Sequence, residues 1–227
     1  MSRYTGNSCQ KTAARIYCYL WCSNCNQGLS AWHSWIRNKI HIVIASQDCG
    51  DIEFLRTIGV PAKNIIACDK DAVARENAAK YKVNVSPYND IVDTVRWAKN
   101  VYKNKIGSVN VDLCDSVITV APILAQIRTI VGQNTYVYCT FLRGHDPGFA
   151  KDDERRLEYL GRPDAAIRYQ SKRKNNHGSP MCVAIYLRQR DNWGNRLIDS
   201  VPETQIKNQD FGRNINKLYQ VAEGLFD

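Results

Sequence analysis

Carboxylate side chains follow short apolar segments at several points of this chain, where they could accept hydrogen bonds from hydroxyl or amino groups. Asp69 and Asp71 come directly after an apolar segment that ends at Cys68, and Asp90 comes shortly after another that ends at Ser86. In nucleoside-binding α/β folds, a carboxylate at the end of a buried strand holds the ribose hydroxyls. This spacing therefore predicts a site for a cofactor that contains a nucleoside.

A later apolar segment, 107–114, ends in residues that could take part in a reaction. Asp112, Cys114 and Asp115 lie at its carboxyl end. An acidic group there can orient an amine or hydroxyl and accept its proton, and a cysteine can attack a ring as a nucleophile. The alternative is structural: the two aspartates would cap a helix that starts near Val117, and the cysteine would be buried.

The elements that must position these residues are predicted from hydrophobic periodicity. Predicted strands are 40–45, 64–68, 83–86, 107–114, 135–142, 165–171 and 181–188. Helical patterns are predicted at 11–21, 29–37, 52–58, 72–81, 91–102, 118–131 and 152–159, with Pro122 expected in the first turn of its helix. Alternating strands and helices predict a parallel sheet with helices on both faces, and the last two strands predict an antiparallel pair.

The order of these motifs resembles the class I S-adenosylmethionine (SAM)-dependent methyltransferases. Within that class, the chain is most similar to small proteins of bacteriophages and mobile elements, through Cys49-Gly50-Asp51, the segment 54–61 and the segment 111–114. The resemblance implies a Rossmann-like, doubly wound, mostly parallel sheet with an antiparallel last strand. It also implies a SAM-binding domain (40–190). Helical periodicity predicts an N-terminal helical extension or lid (1–39) before it and a C-terminal tail with a terminal helix (191–227) after it.

The resemblance also implies roles for individual residues. The cofactor would be SAM, with its methionine end near Ser46, Asp48, Gly50 and Asp51. Asp69 and Asp71 would hold the ribose hydroxyls, and Asp90 would lie near the adenine amino group. The side chains facing the transferred methyl would be Asp112, Cys114 and Asp115.

Two functions are consistent with this resemblance. The first is a methyltransferase acting on DNA or RNA, encoded by a phage or mobile element. The second is a non-catalytic relative that binds nucleic acid or a protein partner, because neither an Asp-Pro-Pro-Tyr-type motif nor a Pro-Cys pair follows the fourth strand.

Positive charge supports a polyanionic partner. The 227 residues carry 31 Lys and Arg against 22 Asp and Glu, a formal net charge of +9. Cations that alternate with aromatic side chains can contact phosphates while the rings stack on bases. The predicted nucleic-acid contacts in the carboxyl-terminal third are Lys172, Arg173, Lys174, His177, Arg188 and Arg190. The alternative is a solvated loop beside an exposed strand edge.

Nine cysteines are present, and Cys18, Cys22 and Cys25 follow the C-x3-C-x2-C spacing that binds an iron–sulfur cluster in radical-SAM enzymes. On a helix these three residues would share one face, which favours core packing instead. We predict no bound metal, and a minor alternative is an iron–sulfur protein.

The location and assembly of the chain are only partly constrained. No apolar segment approaches the roughly 18 residues of a membrane span, so we expect a cytoplasmic protein, in the host cell if the gene belongs to a phage. Nothing in the pattern predicts the oligomeric state.

Overall fold

The protein is described by a computed structural model, which covers residue 14 and residues 29–131, 134–143, 153–161, 163–171, 179–186 and 196–198. Within these ranges the α-helices are α1 (Leu29–Asn38), α2 (Gly50–Thr57), α3 (Ala72–Lys80), α4 (Ile91–Tyr102), α5 (Val117–Ile130) and α6 (Asp153–Tyr159). The strands are β1 (Ile40–Ile44), β2 (Ile65–Cys68), β3 (Asn84–Val85), β4 (Ile106–Asp115), β5 (Tyr136–Leu142), β6 (Ala165–Ser171), β7 (Ser179–Tyr186) and β8 (Arg196–Ile198).

The described strands form one sheet in the order β3-β2-β1-β4-β5-β7-β6-β8. Strands β1 to β5 are parallel, whereas β7 runs antiparallel to both of its neighbours, β5 and β6. The predicted doubly wound sheet with an antiparallel strand near its end is confirmed. Strand β8, which was not predicted, pairs parallel with β6.

Helices cover both faces of the sheet, as the alternating pattern predicted. Val43 and Ala45 pack on one face with α1, α2 and α3. Ile40 and Ile42 pack on the other face with α4 and α5. Successive residues of a strand point to opposite faces, so a strand between two helical layers must be apolar on both sides.

Helix α5 differs from the prediction in the position of its proline. Pro122 lies inside the helix rather than in its first turn, because α5 begins at Val117. A proline there has no N–H to donate to the carbonyl of Ile118, one turn earlier.

Buried His41 connects α1 to the middle of the sheet. Its Nε2 lies 2.8 Å from the carbonyl oxygen of Ile36 in α1, and its Nδ1 lies 2.8 Å from Oγ of Ser108 in β4. Since a carbonyl can only accept, Nε2 carries the proton and Nδ1 accepts from the serine hydroxyl. Burial lowers the pKa of His41 to about 4, and the bond to Ile36 opposes that shift in part.

Three further observations concern the described residues. None of their helices combines the length and apolarity needed to cross a bilayer. No group of three or more of their His, Cys, Asp or Glu side chains is arranged to hold a metal ion. Their five cysteines are free thiols, and all but Cys114 are buried. The predicted domain boundaries remain predictions.

Candidate functional site

All ten predicted cofactor and catalytic residues lie at one edge of the sheet, where the parallel strands β1 to β4 have their carboxyl ends. This arrangement is a consequence of the parallel topology. The order of strands reverses between β1 and β4, and open α/β sheets bind ligands outside the carboxyl ends of strands at such a point. We name this edge the carboxyl edge.

The Asp69 carboxylate connects the loops that follow β1 and β2. Its Oδ2 accepts a hydrogen bond from the backbone N–H of Ser46 at 3.0 Å, and its Oδ1 accepts from the backbone N–H of Asp71 at 2.9 Å. Arg75 donates to the Asp69 carbonyl at 2.6 Å. A carboxylate oxygen can accept more than one bond, so this oriented group can also accept from ligand hydroxyls.

Gln47 holds the same two loops together and was not predicted as a site residue. Its side-chain Nε2 donates to Oδ2 of Asp71 at 2.6 Å, and its backbone carbonyl accepts from Nδ2 of Asn77 at 2.9 Å. The bonds from Gln47 and from the Val73 N–H lower the pKa of Asp71. Asp71 is therefore the N-cap of α3 as well as a partner of the first loop. A lone glutamine in a polar turn carries no signal of this role.

The turn from β1 to α2 takes its left-handed backbone from residues other than glycine. The residues with left-handed backbone are Ser46 and Cys49, each with φ of 52°. Such a conformation costs a residue other than glycine about 1–2 kcal/mol, and it concentrates at functional sites. Gly50 instead begins α2, and its N–H donates to Oδ1 of Asp48 at 3.3 Å.

Two other predicted loop residues have defined surroundings. The Oδ1 of Asp48 also accepts from Oγ of Ser46 at 2.6 Å. Asp51 lies in the first turn of α2 and is only 2% exposed. A carboxylate in the first turn of a helix interacts favourably with the helix dipole.

Asp90 lies at the carboxyl edge after β3, where it is the N-cap of α4. Its Oδ1 accepts from the N–H groups of Val92 at 2.8 Å and Asp93 at 3.4 Å. Nearby Tyr88 is 45% exposed, a large fraction for an aromatic ring at the rim of a site. Tyr88 was not predicted as a site residue, and its position in a polar turn is the only local signal of this exposure.

The carboxyl end of β4 contains a bulge. Asp112 pairs with Thr140 and Asp115 pairs with Phe141, so Leu113 and Cys114 are additional residues in this strand. Cys114 has a left-handed backbone, with φ of 48°, and its Sγ donates to Oδ1 of Asp112 at 2.8 Å. A bulge at the end of a strand redirects side chains and is common beside active sites.

Asp112 and Asp115 were alternatively predicted to cap the helix that starts near Val117, but neither is its N-cap. The N-cap of α5 is Ser116, whose Oγ accepts from the Thr119 N–H at 3.2 Å. Asp115 lies one residue before this N-cap, and its Oδ1 accepts a hydrogen bond from the N–H of Ser116 at 2.6 Å.

Burial makes most of the described thiols unreactive. The pKa is raised to about 11 for Cys49 and to about 12 for Cys68, in both cases chiefly by burial. Burial also raises the pKa of Cys139. The thiolate is the reactive form, so these side chains behave as small core residues.

Several predicted residues lie outside the described ranges. They are Lys172, Arg173, Lys174, His177, Arg188 and Arg190 of the predicted nucleic-acid contacts, and Cys18, Cys22 and Cys25. The residues on either side of 172–178 are described. Ser171 pairs with Ser179 where β6 ends and β7 begins, at the carboxyl edge. The predicted terminal helix is also outside these ranges.

Comparison with known proteins identifies the fold but no family. No family model and no curated protein matches the sequence. Human methyltransferase-like protein 13, solved with S-adenosylhomocysteine (SAH), is 11% identical with a TM-score of 0.53, over 96% of this chain and 91% of that one. A type I restriction-modification methyltransferase subunit from Streptococcus thermophilus is 10% identical with a TM-score of 0.56, over 98% of this chain and 53% of that one. These likenesses establish the class I methyltransferase fold.

Proposed function

We propose that this protein is a SAM-dependent methyltransferase that acts on nucleic acid. The observation that carries the proposal is the Asp69 carboxylate at the carboxyl end of β2. Two backbone N–H groups from different loops orient it, beside the point where the strand order reverses. An oriented carboxylate at this position fits the ribose hydroxyls of a nucleoside cofactor.

The charge of the carboxyl edge also fits SAM. The cofactor supplies an electrophilic methyl group on a cationic sulfonium, and carboxylates attract a cation. Asp69 would accept from the ribose hydroxyls, with Asp71 beside it. Asp90 would use Oδ2 for the adenine amino group, since its Oδ1 already accepts two N–H groups. The methionine end would lie near Ser46, Asp48, Gly50 and Asp51.

The bulge of β4 provides groups for the methyl acceptor. Asp112 would orient the acceptor nitrogen or oxygen and accept its proton, which is general-base catalysis. The Cys114 thiol would position Asp112 through their 2.8 Å hydrogen bond. Asp115 would act mainly by capping, because its Oδ1 already accepts the N–H of Ser116.

The nucleic-acid acceptor is proposed from charge. The formal net charge of +9 favours a polyanion. Lys172, Arg173, Lys174, His177, Arg188 and Arg190 remain the proposed contacts near the acceptor. The similarity of 49–51, 54–61 and 111–114 to proteins of phages and mobile elements is the basis for proposing such an origin, and hence the cytoplasm of a host cell.

The test compares two variants that each remove one carboxylate. Asp69→Asn should weaken SAM and SAH binding about 10- to 100-fold in isothermal titration, because a hydrogen bond to a charged group contributes about 1.5–3 kcal/mol. Asp93→Asn is the matched control, since Asp93 is exposed and pairs with Arg96 on α4. Equal SAM affinity in the two variants would contradict the assignment of Asp69.

A second candidate function is supported by the capping bonds of the carboxylates. Asp71, Asp90 and Asp115 each accept a backbone N–H at the start of a helix, so each has a structural role that needs no cofactor. The protein would then be a non-catalytic relative that binds nucleic acid or a protein. Nucleic-acid binding without measurable SAM or SAH binding by the unmodified protein would favour this second function.

A further inference from the structure

Charge is segregated between the two edges of the sheet in strands β1 to β4. The carboxylates after these strands are all at the carboxyl edge. No Asp or Glu occurs in 29–47, 54–68, 77–89 or 94–111, the segments that lead into the four strands. The opposite edge, which we name the amino edge, therefore receives only positive charge from these segments.

Lysines precede each of the four strands at the amino edge. Lys82 comes two residues before β3, Lys63 two before β2, Lys39 one before β1 and Lys105 one before β4. The spatial order β3-β2-β1-β4 places these four lysines in a row. Neighbouring strands are about 4.8 Å apart, so the row extends over roughly 14 Å. Lys63, Lys82 and Lys105 are exposed, and Lys39 is half-buried.

Hydrogen bonds connect the four segments that carry the row. Asn84 at the start of β3 donates to the Lys63 carbonyl at 2.7 Å. Asn64 before β2 donates to the Arg37 carbonyl at 2.5 Å. Lys39 before β1 donates to the Asn104 carbonyl before β4 at 3.4 Å. The lysines therefore project from a connected platform, whose geometry is set before any partner binds.

The helix dipole does not account for this row. Cations favour the last turn of a helix, where each contributes about 0.3–1 kcal/mol. Lys82 lies outside a helix. Lys63 and Lys105 lie in three-residue 3₁₀ turns, Ala62–Asn64 and Lys103–Lys105, which have too few aligned peptide groups for a large dipole. The described ion pair between Arg96 and Asp93 is on α4 and does not involve the row. Asp164 precedes β6, which lies three places from β4 in the order of the sheet.

We propose that the amino edge binds the phosphate backbone of a nucleic acid through Lys39, Lys63, Lys82 and Lys105. The row of roughly 14 Å is long enough to contact several phosphates, since each strand of a duplex carries a charge about every 3.4 Å. This surface is separate from the carboxyl edge. It does not depend on methyl transfer, so it can be tested without SAM.

The test uses two triple variants with the same loss of charge. The first is Lys63→Gln, Lys82→Gln and Lys105→Gln. The control is Lys70→Gln, Arg96→Gln and Arg155→Gln, which removes three exposed cations from other surfaces. Fluorescence anisotropy would measure the affinity of each full-length protein for labelled single-stranded DNA and RNA of about 20 nucleotides at several salt concentrations.

The amino-edge variant should bind either strand at least about tenfold more weakly, and the slope of log affinity against log salt should decrease by about 2. The control should change each quantity much less. The proposal is overturned if the two triple variants behave alike, if the control loses more affinity, or if the unmodified protein binds anionic vesicles but no nucleic acid. Thermal melting of both variants excludes misfolding as the cause.

Discussion

At the residue scale, the two side chains in the β4 bulge share one hydrogen bond but were predicted to have separate roles. Cys114 donates to Asp112, so its thiol is already directed at the carboxylate. A thiol held in this way orients Asp112, whereas a nucleophilic thiolate needs a cationic partner that stabilises it. The bond therefore favours a positioning role for Cys114.

Substitutions at Cys114 separate the two roles. Cys114→Ser keeps a donor and should retain most methyl transfer. Cys114→Ala should lower kcat about 10- to 100-fold, since a lost hydrogen bond to a charged group costs about 1.5–3 kcal/mol. Steady-state kinetics with SAM and the acceptor would measure this, and SAM affinity should be unchanged in both. Loss of all activity in Cys114→Ser would instead identify a nucleophile.

At the element scale, His41 shows how packing determines the chemistry of a side chain. It lies on β1 and bonds to α1 and β4, so three elements depend on its neutral form. The unfolded chain exposes the imidazole, whose ordinary pKa is 6.5, whereas the pKa in the fold is about 4. Between these values the unfolded state binds the additional proton.

His41 should therefore make stability depend on pH. Its contribution is fully present above pH 6.5 and is lost as the pH falls from 6.5 to about 4, where the total loss is about 3 kcal/mol. Urea unfolding at several pH values would measure the slope. The variant His41→Gln should be less stable at neutral pH but lack this slope, and an unchanged slope in the variant would contradict the assignment.

At the scale of the whole molecule, the carboxylates that follow β1 to β4 lie at one edge of the sheet and the lysines that precede these strands lie at the other. Parallel strands have all their carboxyl ends on one side of the sheet. Residues that follow the strands are therefore separated by the length of a strand from residues that precede them. The carboxyl edge thus fits a cationic cofactor, and the amino edge fits a polyanion. Both properties arise from one topology.

This separation predicts that SAH and a strand bound at the amino edge bind independently, whereas an acceptor bound at the carboxyl edge would respond to SAH. Saturating SAH should change the affinity for a strand of about eight nucleotides by less than about twofold, because coupling requires that one ligand alters the contacts of the other. Titration of the labelled strand with and without SAH would measure the effect. A change above about fivefold would place the strand at the carboxyl edge instead.

Local pattern was sufficient to predict most elements of this fold. The helix Ile91–Tyr102 and the strand Ala165–Ser171 have the predicted bounds, because apolar spacing and polar breaks specify them locally. The carboxylates after each strand were predicted to meet for a similar reason, since parallel strands bring their carboxyl ends together. The antiparallel pair was anticipated from the last two predicted strands, 165–171 and 181–188.

Other features required the folded arrangement. The left-handed conformations of Ser46 and Cys49, the bulge at Cys114 and the bridging role of Gln47 depend on contacts with residues distant in sequence. No local pattern encodes which loop a side chain will meet.

The sequence by itself determined the alternation of elements, the carboxylates at strand ends and the excess of positive charge. Only the tertiary structure decided that the lysines before four strands form one row, because their sequence order differs from their order in the sheet. The physical reason is that periodicity reflects the faces of single elements, whereas strand order depends on how all the apolar faces are buried together.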